Sequence, residues 1–275
     1  MNKYLPKIIG SSINLVSYVS PDMAGNLAML LFSTPQKGKS KNIESDFLKT
    51  AIQKKIPYNN TSIATYHWKG EKETILLVHG WESNSHRWKK LVENLKPLGY
   101  NIVALDAPAH GKSGGKRFNA IVYAEFISVV VKTFKPTIII GHSVGGMAAI
   151  ISQFDYGLTS IEKTVLLGAP SNFTGIFNRY KKMMRYNKEV SEAIDHYVFK
   201  KFNQQPSYYH IENFSEGIHS KGLIIHDKKD KIIPYSDALD YQRHYKNSEL
   251  ISTTGLGHGL KDKTINDHIL KFINQ

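Results

Sequence analysis

Residues 138–146 read Ile-Ile-Ile-Gly-His-Ser-Val-Gly-Gly, an apolar run that passes directly into a Gly-x-Ser-x-Gly motif. The apolar run is typical of a buried strand, and the Met-Ala-Ala-Ile-Ile that follows is typical of a buried helix. Small flanking residues permit a sharp, strained turn from strand to helix, which lifts the central hydroxyl clear of the sheet. The pattern therefore predicts that Ser143 is a nucleophile.

A serine hydroxyl is a weak nucleophile, so it needs a histidine base and a carboxylate that orients the histidine. In chains of this strand-turn-helix type, the acid and then the histidine follow the serine. Residues 222–234 predict a strand that runs into a charged loop, where Asp230 is the favoured acid and Asp227 the alternative. His258 lies in the glycine-flanked loop 254–260 and is the expected base.

Several segments together resemble the α/β-hydrolase family, across about residues 60–275. Beside the serine motif, residues 75–81 are similar to the family's strand that ends in His-Gly. Residues 102–113 are similar to its Asp-x-x-x-His-Gly-x-Ser loop, and residues 230–234 to its Asp-x-Ile-Val-Pro acid loop. The Gly257-His258 pair is similar to its histidine loop.

The resemblance implies a mostly parallel, doubly wound α/β sheet with flanking helices and a helical cap insertion. It also implies that the backbone amides of Trp81 and Val144 form an oxyanion hole. His79 and His110 are expected to fix loops by hydrogen bonding rather than to catalyse, because a loop at a strand end has many backbone groups to satisfy. Asp106 is expected to be structural for the same reason.

Length and composition agree with a single α/β domain. The 275 residues can bury one large core. Cysteine is absent and the twelve histidines show no spacing typical of a metal site, so we expect a mechanism without metal or cofactor. The absence of cysteine is compatible with a reducing compartment, and we expect a cytoplasmic protein.

The formal net charge of +13 suits nucleic acid, an anionic membrane or an acidic substrate. No recognition helix, aromatic RNA-binding signature or zinc finger accompanies the lysines, so no nucleic-acid partner is expected. Two denser basic patches, at residues 36–41 and 179–185, are interpreted as solvated basic faces.

Residues 1–58 precede the hydrolase-like region and are predicted to be a helical extension packed on the core. Ser20-Pro21-Asp22 is typical of a helix start, and Met23, Leu27, Leu30 and Leu31 then recur at helical spacing. A helix that lies on a membrane surface is the alternative, which would make the protein peripheral to a membrane. The segment before Ser20 has no clean cleavage site, so no secretory signal is expected, and no stretch is long and apolar enough to span a bilayer.

The order of the remaining elements is typical of a doubly wound fold. The predicted parts of one overall domain are a first core part at 59–170, a cap at 171–220 and a second core part at 221–275. Strands are predicted at 63–68, 74–79, 100–105, 137–140, 164–167, 223–225 and 250–252, and helices at 88–95, 120–134, 144–155, 236–245 and 264–273.

The insertion is predicted to form two amphipathic helices. Phe177, Tyr180 and Met184 of the insertion, together with His142, are expected to line an apolar substrate pocket. The alternative is that the three insertion side chains only pack the cap onto the core, and both roles are compatible.

The expected activity is hydrolysis of a small carboxylic ester with an apolar acyl or alcohol group. The segments around residues 79–88 and 110–117 have some likeness to monoacylglycerol lipases and lysophospholipases. The same triad also serves thioesterases, acyltransferases and carbon–carbon hydrolases, because fold does not fix reaction. Outside hydrolysis, a small-ligand receptor on this fold and a basic membrane-surface protein with a vestigial pocket are the alternatives.

Overall fold

A computed structural model of the chain describes residues 4–36 and 45–275. Most of the basic patch at 36–41 lies outside the described residues. Within these ranges the strands are β1 (Ile52–Tyr58), β2 (Thr61–Trp68), β3 (Thr74–Val78), β4 (Asn101–Leu105), β5 (Ile138–His142), β6 (Lys163–Leu167), β7 (Lys221–Asp227) and β8 (Ser248–Thr253). The α-helices are α1 (Leu5–Ser17), α2 (Pro21–Ser33), α3 (Asp46–Lys49), α4 (Lys89–Leu95), α5 (Ala120–Phe134), α6 (Val144–Tyr156), α7 (Phe173–Met184), α8 (Lys188–Phe202), α9 (Ile211–Phe214), α10 (Tyr235–His244) and α11 (Lys263–Ile273).

The strands form one sheet in the order β1-β2-β4-β3-β5-β6-β7-β8. The first two pairings, β1 with β2 and β2 with β4, are antiparallel, and all the others are parallel. The predicted mostly parallel, doubly wound sheet with flanking helices is confirmed. The strand reversal β4-β3-β5 places crossovers on both sides of β3, as doubly wound sheets require.

The two faces of the sheet are covered by different helices. On one face, Leu91 and Leu95 of α4 and Ile265 and Ile269 of α11 join a continuous apolar cluster with inward-facing strand residues. The other face meets α6 closely at Gly141, where an added Cβ would lie 2.5 Å from the Gly146 Cα. Burial on both faces explains why β3 to β7 read as unbroken apolar runs.

The chain divides into two compact units. The larger unit, residues 35–171 and 214–275, holds the whole sheet. The smaller unit combines the N-terminal residues up to Thr34 with residues 172–213.

The smaller unit joins the N-terminal extension to the insertion. The structure groups α1 and α2 with the insertion helices α7 and α8, and the packing of the extension 1–58 on the core stays a prediction. Glycine and alanine allow this close packing, since an added Cβ at Gly25 would lie 2.7 Å from the Ala193 Cβ. Tyr180 Oη of α7 also donates a hydrogen bond to the Ala28 carbonyl of α2.

Two predicted domain boundaries differ from those in the structure. Residues 52–58, assigned to the extension, form β1 and pair with β2 along the sheet edge. The insertion that belongs to the smaller unit ends at Asn213 rather than at residue 220. In the described ranges, every helix is too short or too polar to cross a bilayer.

Candidate active site

The serine motif forms a strained turn between β5 and α6. Ser143 has φ of 54° and ψ of −133°, a conformation that non-glycine residues rarely adopt. The turn is tight on both sides, since a Cβ at Gly141 would meet the backbone of Gly146 and one at Gly145 would lie 2.3 Å from the His79 carbonyl oxygen. Glycine at these positions therefore follows from the close approach of the backbone.

The structure brings together the three residues predicted as nucleophile, base and acid. His258 Nε2 lies 3.0 Å from Ser143 Oγ, and His258 Nδ1 lies 2.7 Å from Asp230 Oδ2. The carboxylate can only accept, so Nδ1 donates to it and Nε2 is left to accept the serine hydroxyl proton. This is the arrangement in which an imidazole acts as a general base.

Asp230 is almost completely buried and is held by the loop that follows β7. Its Oδ1 accepts hydrogen bonds from the amides of Ile232 at 2.8 Å and Ile233 at 3.1 Å. Burial would raise the pKa of Asp230, but the hydrogen bonds from His258 and from these two amides hold it below its usual value. The carboxyl is therefore ionised at neutral pH.

Asp227, the alternative acid, faces the backbone of the histidine loop instead. Its Oδ2 accepts from Leu256 N at 2.9 Å and from Thr253 Oγ1 at 2.8 Å. Burial raises the pKa of Asp227, but hydrogen bonds to these groups and to neighbouring amides outweigh it and lower the pKa to about 2. Asp227 thus ties the loop that carries His258 to the end of β7.

Two further side chains hold the histidine loop by its carbonyl oxygens. His142 Nε2 donates to the His258 carbonyl at 2.9 Å, and Arg87 Nη2 donates to the Gly259 carbonyl at 3.0 Å. Burial lowers the pKa of Arg87 to about 10, so the guanidinium remains charged at neutral pH. Burial also lowers the pKa of His142 well below its ordinary value, so His142 is neutral there.

Sequence reasoning did not find Arg87 or Gly168 as site residues. Gly168, at φ of 56°, lies so close to the site that an added Cβ would be 3.4 Å from His258 Nδ1 and 3.6 Å from Asp230 Oδ2. The sequence signal was weak for both residues. Gly168 directly follows β6 at the same sheet edge as Ser143, and Arg87 follows the His-Gly loop.

The His-Gly loop after β3 lies directly against the serine turn. A Cβ at Gly80 would come within 2.9 Å of the Ser143 Cβ. Trp81 follows Gly80, and Val144 is the first residue of α6, where helix amides have no acceptor within the helix. The backbone near Ser143 thus contains both residues predicted as oxyanion donors.

His79 and His110 hold the backbone on either side of Trp81. His79 Nδ1 donates to the Gly80 carbonyl at 2.7 Å, and His110 Nε2 accepts from the Glu82 amide at 3.0 Å. Burial lowers the pKa of each histidine to about 4, so both are neutral at pH 7. The expectation that they fix loops agrees with these contacts.

Asp106, at the end of β4, is fully buried and satisfies four donors. Its carboxylate accepts from the amide and hydroxyl of Ser85, the amide of Lys112 and the hydroxyl of Tyr66. These contacts fit the structural role expected for it. In residues 4–36 and 45–275, no group of three histidine or acidic side chains is arranged to hold a metal ion.

Three side chains predicted to line the pocket are buried inside the smaller unit. Phe177 and Tyr180 pack against Phe32 of α2, with ring centroids 5.2 Å and 4.8 Å apart, and Met184 is also buried. His142 lies beside Ser143 under the histidine loop. The pocket role of all four residues stays a prediction.

Comparison with known proteins gives consistent similarities. The profile of a family described as alpha/beta hydrolase fold matches residues 73–174. The AB hydrolase superfamily protein YisY of Bacillus subtilis is 23% identical over 249 residues, which cover 74% of this chain and 93% of that protein. A non-heme haloperoxidase of Rhodococcus erythropolis is 24% identical over 266 residues, which cover 78% of this chain and 97% of that protein.

Among solved structures, an esterase from Exiguobacterium antarcticum superposes with a TM-score of 0.62 at 17% sequence identity. The match covers 82% of this chain and all of that chain. Structural similarity at this identity indicates a shared fold alone, so the reaction must be inferred from the site.

Proposed function

We propose that this chain, which has the α/β-hydrolase fold, is a serine hydrolase that cleaves a carboxylic ester through an acyl-enzyme intermediate. The observation that carries the proposal is the continuous chain of hydrogen bonds from Ser143 Oγ through His258 to Asp230. A serine next to an imidazole that is itself paired with a buried carboxylate is a competent nucleophile for acyl transfer.

In the first half of the reaction, Ser143 Oγ attacks the ester carbonyl carbon while His258 Nε2 takes the hydroxyl proton. The negative charge that develops on the carbonyl oxygen is stabilised by the amides of Trp81 and Val144. The carbon–oxygen bond to the alcohol then breaks, and His258 returns its proton to the leaving alkoxide. The acyl group is left as an ester of Ser143.

In the second half, water attacks the acyl-enzyme. His258 Nε2 accepts a proton from the water, and the same two amides stabilise the second oxyanion. Collapse of that intermediate releases the carboxylic acid and returns the proton to Ser143 Oγ. Asp230 stays ionised throughout and stabilises the imidazolium form of His258 in both halves.

The side chains beside the proposed oxyanion loop favour an apolar ester. The indole of Trp81 is partly exposed and contacts the rings of His110 and Phe118 at centroid distances of 5.4 Å and 5.2 Å. An exposed aromatic surface next to the nucleophile gains free energy by covering an apolar acyl or alcohol group.

The test is turnover of a series of p-nitrophenyl esters with acyl chains from short to long, by the wild type and by Ser143→Ala. We expect turnover that varies with chain length and falls by at least about 10⁴-fold in the variant. Ser152→Ala is the matched control, because Ser152 is a buried serine of α6 whose hydroxyl donates to the Ala149 carbonyl. Its turnover should stay near that of the wild type.

Labelling by a fluorophosphonate separates the remaining outcomes. The wild type should be labelled on Ser143, and the alanine variant should not be labelled. A folded wild type that neither hydrolyses the esters nor accepts the label, but binds an apolar ester, contradicts the proposal and favours the ligand-receptor alternative.

A further inference from the structure

Helix α1 exposes several of its apolar side chains. Leu5, Ile8, Leu15 and Val19, the last just beyond the helix end, have exposed fractions of 47%, 61%, 68% and 89%. The residues that α1 buries are Gly10, Ile13 and Ser17. Most surface helices do the reverse and keep their apolar stripe on the protein.

The four exposed residues lie along one line of the helix surface. At 100° per residue, Leu5, Ile8, Leu15 and Val19 fall within about 80° of one another, opposite the buried face. We call them the α1 stripe. Tyr4 and Tyr18, which are also exposed, lie beside the two ends of the stripe.

On the side opposite the stripe, α1 packs against the protein through small and polar groups. An added Cβ at Gly10 would lie 1.8 Å from the Met184 carbonyl oxygen, so the end of α7 sits directly on the helix backbone. Asn14 Nδ2 donates to the Arg185 carbonyl at 2.9 Å, and Asn14 Oδ1 accepts from the Asn187 amide at 3.1 Å. These contacts fix the orientation of α1, so the exposure of the stripe is enforced by the packing.

The same contacts place a basic turn against the flank of α1. We call the last turn of α7 and the residues that join it to α8 the basic turn, because it carries the exposed residues Lys182 and Arg185. The backbone of the basic turn is bonded to Asn14. Lys7 lies two helical turns before Asn14 and therefore on the same flank. An exposed apolar stripe is thus bordered by cationic side chains.

We propose that the α1 stripe and this basic turn form a docking surface for an anionic phospholipid bilayer. The stripe enters the boundary between headgroups and acyl chains, as the apolar face of an interfacial helix does. Lys7, Lys182 and Arg185 meet the anionic headgroups. The flanking tyrosines suit the same interface, where aromatic side chains with a polar end are favoured.

The charge argues for a bilayer over a second copy of this chain. Pairing two stripes by a twofold axis would bring two sets of cationic residues together, and like charges oppose such an interface. An anionic membrane instead satisfies both the apolar stripe and the cations. The inference is independent of the proposed hydrolysis, because its readout is vesicle binding.

The test is co-sedimentation of the full chain with vesicles of phosphatidylcholine alone and of phosphatidylcholine mixed with phosphatidylglycerol. The wild type should bind the anionic vesicles at least about tenfold more tightly, with binding that weakens as salt is raised. The Ile8→Ser/Leu15→Ser double variant and the Lys182→Gln/Arg185→Gln double variant should each bind at least about tenfold more weakly.

Leu239→Ser on α10 is the control, because Leu239 is an exposed apolar residue in the larger unit. It should bind vesicles like the wild type. Urea unfolding of each variant checks that the fold is retained. The proposal is overturned if the folded wild type does not bind anionic vesicles, or if the stripe variant binds them equally well. A concentration-dependent dimer that the stripe variant abolishes, with no vesicle binding, would assign the surface to a second copy instead.

Discussion

Asp227 is the last residue of β7 and Asp230 lies three residues further on, yet their hydrogen bonds give them different tasks. Asp230 bonds to the imidazole of His258 and to two amides of its own loop. Asp227 bonds to Thr253 and Leu256, which precede the histidine in the chain. The sequence favoured Asp230 as the acid because its Ile-Ile-Pro continuation resembles the family's acid loop. In the structure, the amides of Ile232 and Ile233 in that continuation donate to its carboxylate.

Substitution of Asp230 should mainly lower activity, whereas substitution of Asp227 should mainly lower stability. Asp230→Asn should lower ester kcat by about 10³–10⁴-fold, because an amide does not stabilise the imidazolium and can invert the histidine tautomer. Asp227→Asn should lower the free energy of unfolding by about 1–3 kcal/mol, because buried amides lose a charged acceptor, and change kcat far less. Steady-state kinetics and urea unfolding of both variants measure this. Collapse of kcat in Asp227→Asn alone would reverse the assignment of the acid.

The sequence indicated the residues of the candidate site that belong to local patterns and left out those that depend on contacts distant in the chain. Ser143 is marked by glycines that the turn itself requires, and His258 by its own glycine-flanked loop. Arg87 reaches the Gly259 carbonyl from 172 residues away, and no local pattern encodes that contact. Long-range positioning residues of this kind need the packed structure.

At the scale of helices and strands, the buried parallel strands and the amphipathic helices were predictable, and two N-terminal elements were not. Strand β1 was not predicted because its residues 52–55 are all exposed, so this part of the edge strand has no alternation of buried and exposed side chains. The bounds of helix α1 were not predicted because its apolar spacing is interrupted by Gly10, Ser11, Ser12 and Asn14. The packing of α1 explains part of this pattern, because Gly10 is buried against the protein and Asn14 bonds to it, whereas Leu5, Ile8 and Leu15 face outward.

The packing of α2 on α8 predicts a strong size limit at Gly25. Gly25→Leu should lower the free energy of unfolding by about 1–3 kcal/mol, because the added Cβ would lie 2.7 Å from the Ala193 Cβ and the helices would have to separate. Asn26→Ala at the exposed neighbouring position is the control and should be neutral or slightly stabilising. Urea unfolding measures both. Equal stability of Gly25→Leu and the wild type would contradict the close packing of the two helices.

For the whole molecule, three neutral buried histidines link stability to pH. Burial lowers the pKa of His79 and of His110 to about 4 and lowers that of His142 well below its ordinary value. In the unfolded chain these histidines have pKa values of about 6.5. Between pH 6.5 and 4 the unfolded state therefore binds more protons than the folded state, so the free energy of unfolding falls as the pH is lowered. Asp106 opposes this trend, because burial raises its pKa.

We therefore expect the free energy of unfolding to fall by about 2–5 kcal/mol between pH 7 and pH 5, a range in which ordinary carboxylates change little. Urea unfolding at a series of pH values measures the slope. His110→Gln gives the matched comparison, since a glutamine oxygen can still accept from the Glu82 amide but does not titrate, so its stability should fall less over the same interval. A wild-type stability that is constant from pH 7 to pH 5, or one that falls equally in His110→Gln, would show that His110 is not held neutral by burial. Because His110 and His79 fix the backbone on both sides of Trp81, the same protonation should loosen the proposed oxyanion loop as the fold weakens.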